Sequence, residues 1–188
     1  MPAYRIGKTA GIRKVKALRT IRVRARPADR RRGLLLAGTH ALPVALGRGG
    51  IRADKREGDG GTPRGCFRLV RLWWRADRMN RPATGLPMRR ITADIAWSED
   101  PRSRHYNRPF RRSADEAGDR LRRDDHLYDL IIELDHNTRP RVAGRGSAVF
   151  VHLARPGFAP TAGCVALTGS DLRRLLARIG PGTRILIE

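Results

Sequence analysis

The 188-residue chain is 40% hydrophobic but only 5% aromatic, which suits one domain with a single sizeable core. No run of about twenty apolar residues occurs, so the sequence excludes a membrane-spanning helix. The formal net charge is +22, and all but four of the basic side chains are arginine. Two explanations of this charge are open. One is a polyanionic partner, such as nucleic acid, an anionic membrane or a carboxylate-rich polymer. The other is an arginine-rich composition throughout the chain.

The start of the chain is its most basic part. Residues 1–32 contain twelve Lys or Arg and a single acid, Asp29. We predict a basic N-terminal tail over residues 1–17 and one folded domain over residues 18–188.

Short strands around a glycine-rich loop are predicted for the first half of the domain. Residues 18–24 alternate apolar and basic side chains, as a strand with one buried face does. Residues 33–37 and 41–46 are apolar runs split by a turn. They follow paired arginines as an export signal does, but they are too short and too interrupted to form a signal peptide. Seven glycines make residues 47–65 a long loop, and residues 66–75 form the next strand.

The middle of the chain has little periodicity, whereas the end is easier to interpret. Residues 76–125 are polar and arginine-rich, and so long a stretch is typical of a functional segment or a surface excursion. Apolar and β-branched runs then predict strands at residues 127–134, 147–154 and 164–168.

One helix is predicted near the C-terminus. Ser170 and Asp171 are expected to cap it, and its apolar positions recur at helical spacing. These positions are Leu172, Leu175, Leu176 and Ile179. Gly180 and Pro181 end the helix, and a strand over residues 183–188 closes the domain. The predicted fold class is therefore mainly β with minor α.

Cys164 and His152 are the candidate catalytic pair. A thiol attacks a carbonyl as the thiolate, and an adjacent histidine can take its proton. The two residues lie on successive predicted strands, and Gly163 leaves space where a substrate carbonyl must approach. The backbone N–H of Cys164, or of Gly163, is then placed to stabilise an oxyanion. The alternative is a core histidine and an inert buried cysteine.

Several motifs together resemble the YkuD-type L,D-transpeptidases of the bacterial cell wall. SAVFVH…TAGCVAL at residues 147–167 resembles the family signature, a His on one strand followed by a Ser/Thr-x-Gly-Cys turn. The glycine-rich run at 47–65 resembles a family loop in which Lys, Gly-Asp and Thr-Pro precede a strand. WSEDP, HYNRPF and HLYDLIIELDHN resemble a compact branch. The resemblance implies a β-sandwich-like catalytic domain in which Cys164 is the nucleophile and His152 the base.

The turn departs from the family pattern at two positions. Ala162 replaces a histidine, and Ala166 replaces an arginine that normally helps to bind the peptide. We therefore expect the donor peptide to be recognised by other side chains. The candidates are Arg155, Thr161, Tyr106, Asn107, Arg108 and Lys55. Thr161 alternatively holds its loop, residues 106–108 alternatively pin a long loop, and Lys55 alternatively belongs to a structural hairpin loop.

The remaining candidates have simpler interpretations. Cys66 is predicted to be a passive core thiol, and at most one of the adjacent Trp73 and Trp74 is expected in a core. No metal site is predicted, because a site shared among the histidines of the second half is the less favoured alternative. No cofactor is expected.

The resemblance implies a complete reaction. The Cys164 thiolate attacks a carbonyl of a donor stem peptide of peptidoglycan, and the amine of diaminopimelate on an acceptor stem resolves the thioester. The compact branch joins an L-alanine to diaminopimelate. Two alternatives stay open: hydrolysis at the same site by an L,D-carboxypeptidase or amidase, and a basic protein that binds nucleic acid or a membrane surface. The substrate implies the periplasm or cell envelope, with transient contacts to anionic envelope surfaces and no nucleic-acid partner.

Overall fold

The computed structural model describes residues 17–113 and 117–188. The tail predicted over residues 1–17 lies outside the described residues, except for Ala17. The strands of the described part are β1 Thr20–Arg26, β2 Asp29–Ala37, β3 His40–Ala45, β4 Ile51–Arg52, β5 Thr62–Pro63, β6 Gly65–Trp74, β7 Met88–Arg90, β8 Ile95–Trp97, β9 Pro109–Arg111, β10 Asp119–Arg120, β11 Leu130–Leu134, β12 Phe150–Leu153, β13 Val165–Leu167 and β14 Arg184–Ile187. Helix α1 spans Gly169–Leu176. The predicted class, mainly β with one C-terminal helix, is confirmed.

The largest sheet closes on itself. Its strand order in the described ranges is β11-β12-β13-β3-β2-β1-β14-β6-β7, and β6 also pairs with β11. The pairs β1–β14, β12–β13 and β6–β7 are parallel, and the other pairs of this sheet are antiparallel. Closure gives the sheet an interior face and an exterior face, and alternate residues of each strand face each side.

Both faces of this sheet are covered near β6. Trp74 packs in the interior core with Val151, whereas Trp73 packs in a second cluster with Phe150 and Cys164. Trp73 is 4% exposed and Trp74 is 7% exposed, so the prediction that at most one of them lies in a core is wrong. A strand that is covered on both faces buries adjacent side chains on opposite sides.

A small three-stranded sheet covers the exterior face. Its order is β10-β8-β9, and its strands lie within residues 76–125, the stretch with little periodicity. Trp97 of β8 packs edge-to-face on Phe150 of β12, with the ring centroids 4.9 Å apart. This contact places the small sheet over the end of β12, beside Cys164.

Helix α1 packs against one side of the interior core through its buried leucines. Its N-cap is Thr168, whose Oγ1 accepts a hydrogen bond from the backbone N–H of Asp171 at 3.2 Å. The predicted caps, Ser170 and Asp171, lie within the first turn instead, because the threonine two residues earlier already supplies the capping oxygen. No helix in the described part is long and apolar enough to cross a membrane.

Cys66 does not lie in a core. It is exposed on β6, where it pairs laterally with Leu186 of β14. The next residue, Phe67, packs against the interior core, so alternation directs Cys66 outward, where no layer covers it. The prediction of a core thiol is wrong.

Candidate active site

The register of two parallel strands brings Cys164 and His152 to one face. In the β12–β13 pair, His152 lies opposite Ala166, and Cys164 precedes Ala166 by two residues. Side chains two residues apart on a strand point to the same side, so the nucleophile candidate and the base candidate share the exterior face. Both are buried, at 8% and 6% exposure.

The thiol of Cys164 is held by the backbone of the neighbouring strand. Its Sγ donates to the carbonyl of Ala148 at 3.2 Å and accepts from the N–H of Phe150 at 3.4 Å. Ala148 has a φ of +51°, an uncommon conformation for a residue with a Cβ. This backbone conformation directs both the carbonyl of Ala148 and the N–H of Phe150 towards Sγ of Cys164. The sulfur makes no hydrogen bond to the His152 ring within the described ranges.

Hydrogen bonding fixes the tautomer of His152. Its Nδ1 donates to the backbone carbonyl of Leu153 at 2.8 Å. The Nε2 atom of the neutral ring therefore carries the lone pair and is the atom able to accept a proton. The ring of Tyr128 packs edge-to-face on the imidazole, with the centroids 5.4 Å apart, which fixes the ring plane.

The resting pair is neutral. Burial raises the pKa of the Cys164 thiol to about 12, and burial lowers the pKa of His152 to about 4. Both charged forms lose hydration on burial, so the thiol keeps its proton in this state and His152 does not hold it as a thiolate. Proton transfer from sulfur to Nε2 has to accompany attack on a substrate.

Thr161 organises the turn before the nucleophile. Its Oγ1 donates to the carbonyl of Cys164 at 2.7 Å and accepts from the N–H of Gly163 at 3.1 Å. The Gly163 amide is thus engaged and is not a free oxyanion donor. The N–H of Cys164, in contrast, has no acceptor among residues 17–113 and 117–188.

Gly163 makes a close approach that requires glycine. Its φ is +148°, and a Cβ built there would lie 2.8 Å from the carbonyl oxygen of Gly61. The nucleophile turn therefore packs directly on the glycine-rich loop.

Lys55, which belongs to the glycine-rich loop, lies beside the nucleophile turn. Its Nζ binds Asp59 Oδ1 at 2.6 Å and the carbonyl of Arg56 at 2.5 Å. Although burial opposes ionisation, the hydrogen bond from Lys55 lowers the pKa of Asp59 below its ordinary value. A Cβ at Gly163 would lie 3.7 Å from Lys55 Cε, so the Lys55 side chain borders the turn. Two of its three N–H groups already have acceptors.

Sequence reasoning missed two acidic residues, Asp119 and Glu99, whose charges reach Cys164 and which we call the acidic rim. Asp119 pairs laterally with Trp97 across β10 and β8 and accepts a hydrogen bond from Tyr128 Oη at 3.0 Å. Glu99 follows Trp97 by two residues and has no hydrogen bond or ion pair in the described part. Although Glu99 is exposed, desolvation of its carboxylate, with repulsion from Asp119 and Glu57, raises its pKa to about 7. No spacing motif marks these residues; only the pairing of β8 with β10 reveals them.

Asn107 and Tyr106 make contacts within the protein. Asn107 Oδ1 accepts from the N–H of Ala148 at 3.2 Å, and its amide donates to the carbonyls of His136 and Asn137 at 3.0 and 2.8 Å. The buried Asn107 thus fixes the backbone that holds the thiol. Tyr106 Oη donates to Glu57 at 2.6 Å.

The two arginine candidates for peptide binding lie on the surface. Arg108 and Arg155 are both exposed, and the charge of Arg155 reaches His152, where it helps to lower the imidazole pKa after burial and Arg123. No group of three His, Cys, Asp or Glu in the described ranges is arranged to hold a metal ion.

Comparison with known proteins gives one finding. The model of the YkuD family, described as the L,D-transpeptidase catalytic domain, matches residues 22–187. No curated protein and no solved structure matches the chain. The matched range contains the Cys164 turn, β12 and the glycine-rich loop.

Proposed function

Because the chain belongs to the L,D-transpeptidase catalytic domain family, we propose that it is a cysteine-dependent L,D-transpeptidase that cross-links stem peptides of peptidoglycan in the cell envelope. The observation that carries the proposal is the placement of Cys164 and His152 on one face of adjacent parallel strands. The hydrogen bond from His152 Nδ1 to Leu153 leaves Nε2 available as the base.

Acylation begins from the neutral pair. Substrate binding displaces the S–H from the carbonyl of Ala148, and the thiol proton moves to Nε2 of His152 as the sulfur attacks the donor carbonyl. The C–S bond forms, the peptide C–N bond breaks, and the leaving amine takes the proton from His152. The N–H of Cys164 stabilises the oxyanion of the tetrahedral intermediate.

Transfer to an amine follows on the thioester. The free amine of diaminopimelate on an acceptor stem attacks the carbonyl while Nε2 of His152 takes a proton from it. The C–N bond forms, the C–S bond breaks, and His152 returns the proton to the sulfur, which regenerates the thiol. Because an amine is mostly an ammonium near neutral pH, the carboxylate of Glu99, which has no ion pair in the described part, favours its approach, whereas Asp119 is already paired with Arg123 at 3.3 Å. With a pKa near 7, Glu99 is suited to accept the proton that the ammonium must lose.

Incubation with purified muropeptides tests this function. We expect the wild-type protein to form cross-linked dimers that mass spectrometry detects. Cys164→Ala should form none, and Cys66→Ala serves as the matched control and should retain activity. Shortened stems without dimers would instead identify hydrolysis by an L,D-carboxypeptidase or amidase. Salt-dependent binding to DNA that survives in Cys164→Ala, with no change in muropeptides, would identify a basic binding protein.

A further inference from the structure

A second cleft lies on the outer side of the glycine-rich loop. It is a cavity of about 570 Å³ whose lining includes Arg30, Arg52 and Arg64. Arg30 belongs to β2, Arg52 ends β4, and Arg64 lies between β5 and β6. Three separate segments of the chain therefore contribute guanidinium groups to one cavity, which we call the arginine groove.

The arginine groove has an uncompensated positive charge. Its lining also includes Asp54 and Glu188, but other arginines outside the groove neutralise these acids. Asp54 binds Arg145 at 2.6 Å and Arg56 at 3.0 Å. Glu188 binds Arg24 at 2.6 Å.

The groove arginines themselves lack counter-ions. No hydrogen bond or ion pair engages the side chains of Arg30, Arg52 or Arg64 within residues 17–113 and 117–188. Arginine at a cleft favours planar oxyanions, which it binds with paired N–H donors.

The arginine groove adjoins the active site through the loop between them. A Cβ at Gly50 would lie 3.3 Å from the side chain of Arg30, and a Cβ at Gly61 would lie 2.7 Å from that of Arg52. Gly61 is also the residue on which Gly163 packs. Gly47, which approaches the Cα of Gly163, is three residues from Gly50, a chain distance of at most about 10 Å. Four or five extended residues span about 15 Å, the same scale as this chain distance.

We propose that the arginine groove binds the free carboxylates of a stem peptide whose reacting part lies at Cys164. This inference rests on the proposed function, since peptidoglycan stems are the carboxylate-bearing peptides that such an enzyme meets.

Binding to a protein that cannot turn over tests the inference. In a Cys164→Ala background, calorimetry measures the Kd of a stem tetrapeptide and of the same peptide with its carboxylates amidated. The groove variant carries Arg30→Gln, Arg52→Gln and Arg64→Gln. The control variant carries Arg19→Gln, Arg173→Gln and Arg184→Gln, which removes the same charge from exposed arginines that have no ion pairs within the described ranges. Near-UV circular dichroism checks that both variants fold.

We expect the groove variant to weaken binding of the free acid at least about tenfold and to abolish the discrimination against the amide. The control variant should change both Kd values less than about twofold. Equal losses in the two variants, or an unchanged acid-to-amide ratio in the groove variant, would overturn the assignment. Displacement of the peptide by inorganic phosphate but not by equimolar acetate would also overturn it, in favour of a phosphate site.

The result separates the groove from the chemistry. Cross-links that form without carboxylate-dependent binding would refute the arginine groove and leave the proposed function standing. Carboxylate-dependent binding without cross-links would support the arginine groove and refute the proposed function.

Discussion

Lowering the pH should destabilise the protein through His152. Burial holds the pKa of this imidazole at about 4, compared with an ordinary value of 6.5. The depressed pKa means that the folded state favours the neutral ring, whereas the unfolded chain binds a proton as the pH falls below 6.5. The contribution of the neutral ring to stability is therefore complete above pH 6.5 and is lost progressively as the pH falls towards 4.

The size of the effect follows from proton linkage. One pKa unit corresponds to about 1.4 kcal/mol, so the two values for His152 imply a loss of about 1 kcal/mol at pH 5.5 and about 3 kcal/mol at pH 4. Such a loss is a large fraction of the stability of a typical domain, about 5–15 kcal/mol.

A paired denaturation series isolates this contribution. Urea unfolding of the wild-type protein and of His152→Gln is measured between pH 8 and pH 4, and the difference between their free energies of unfolding is plotted. Glutamine does not titrate, so other groups cancel. We expect a flat difference above pH 7 and a fall of about 3 kcal/mol by pH 4. A difference that stays constant across this range would refute a buried, neutral His152.

Three further changes test the surroundings of the thiol. Gly163→Ala should destabilise the fold by about 2 kcal/mol or more in urea titrations, because the new methyl meets the Gly61 carbonyl; an unchanged midpoint would contradict this packing. Asn107→Ala should cost about 2–4 kcal/mol, because buried partners lose their hydrogen bonds; a cost below 1 kcal/mol would refute that role. Without substrate at pH 7, iodoacetamide should label the exposed Cys66 before Cys164, because the thiol pKa of Cys164 is about 12. Peptide mapping gives the order of labelling, and faster labelling of Cys164 would contradict a protonated resting thiol.

Strands with simple alternation were predictable from the sequence. β1, β2, β3 and β14 lie where apolar runs and turn residues predict them, because each buries one face or follows a clear turn. β8 and β10 were not predictable, since they are two or three residues long and carry no period. Their position depends on contacts with distant strands, such as Trp97 with Phe150.

The two tryptophans and Cys66 show a second limit. Alternation along β6 indicates which residues share a face, but it does not show which face another layer covers. Trp73 is buried because β8 to β10 cover its side of the sheet, and Cys66 is exposed because no layer reaches its end of the strand. Burial of this kind is a tertiary property.

The candidate catalytic pair was accessible from the sequence, whereas its protonation state was not. The motif around His152 and Cys164 indicates which residues share a face of adjacent strands. The pKa values depend on burial and on the contacts of the thiol with Ala148 and Phe150, which a sequence does not display. The acidic rim of Glu99 and Asp119 similarly follows from strand pairing.

Covalent labelling with a carbapenem is the most direct test of Cys164 as the nucleophile that accepts an acyl group. The strained lactam carbonyl stands in for the donor peptide, and its opening leaves a thioester on the attacking sulfur. Intact-mass analysis should show one added drug mass on the wild-type protein and on Cys66→Ala, and peptide mapping should place it at Cys164. Cys164→Ala should remain unlabelled although its exposed Cys66 thiol is intact. Equal labelling of Cys164→Ala, or an unlabelled wild-type protein, would contradict the account.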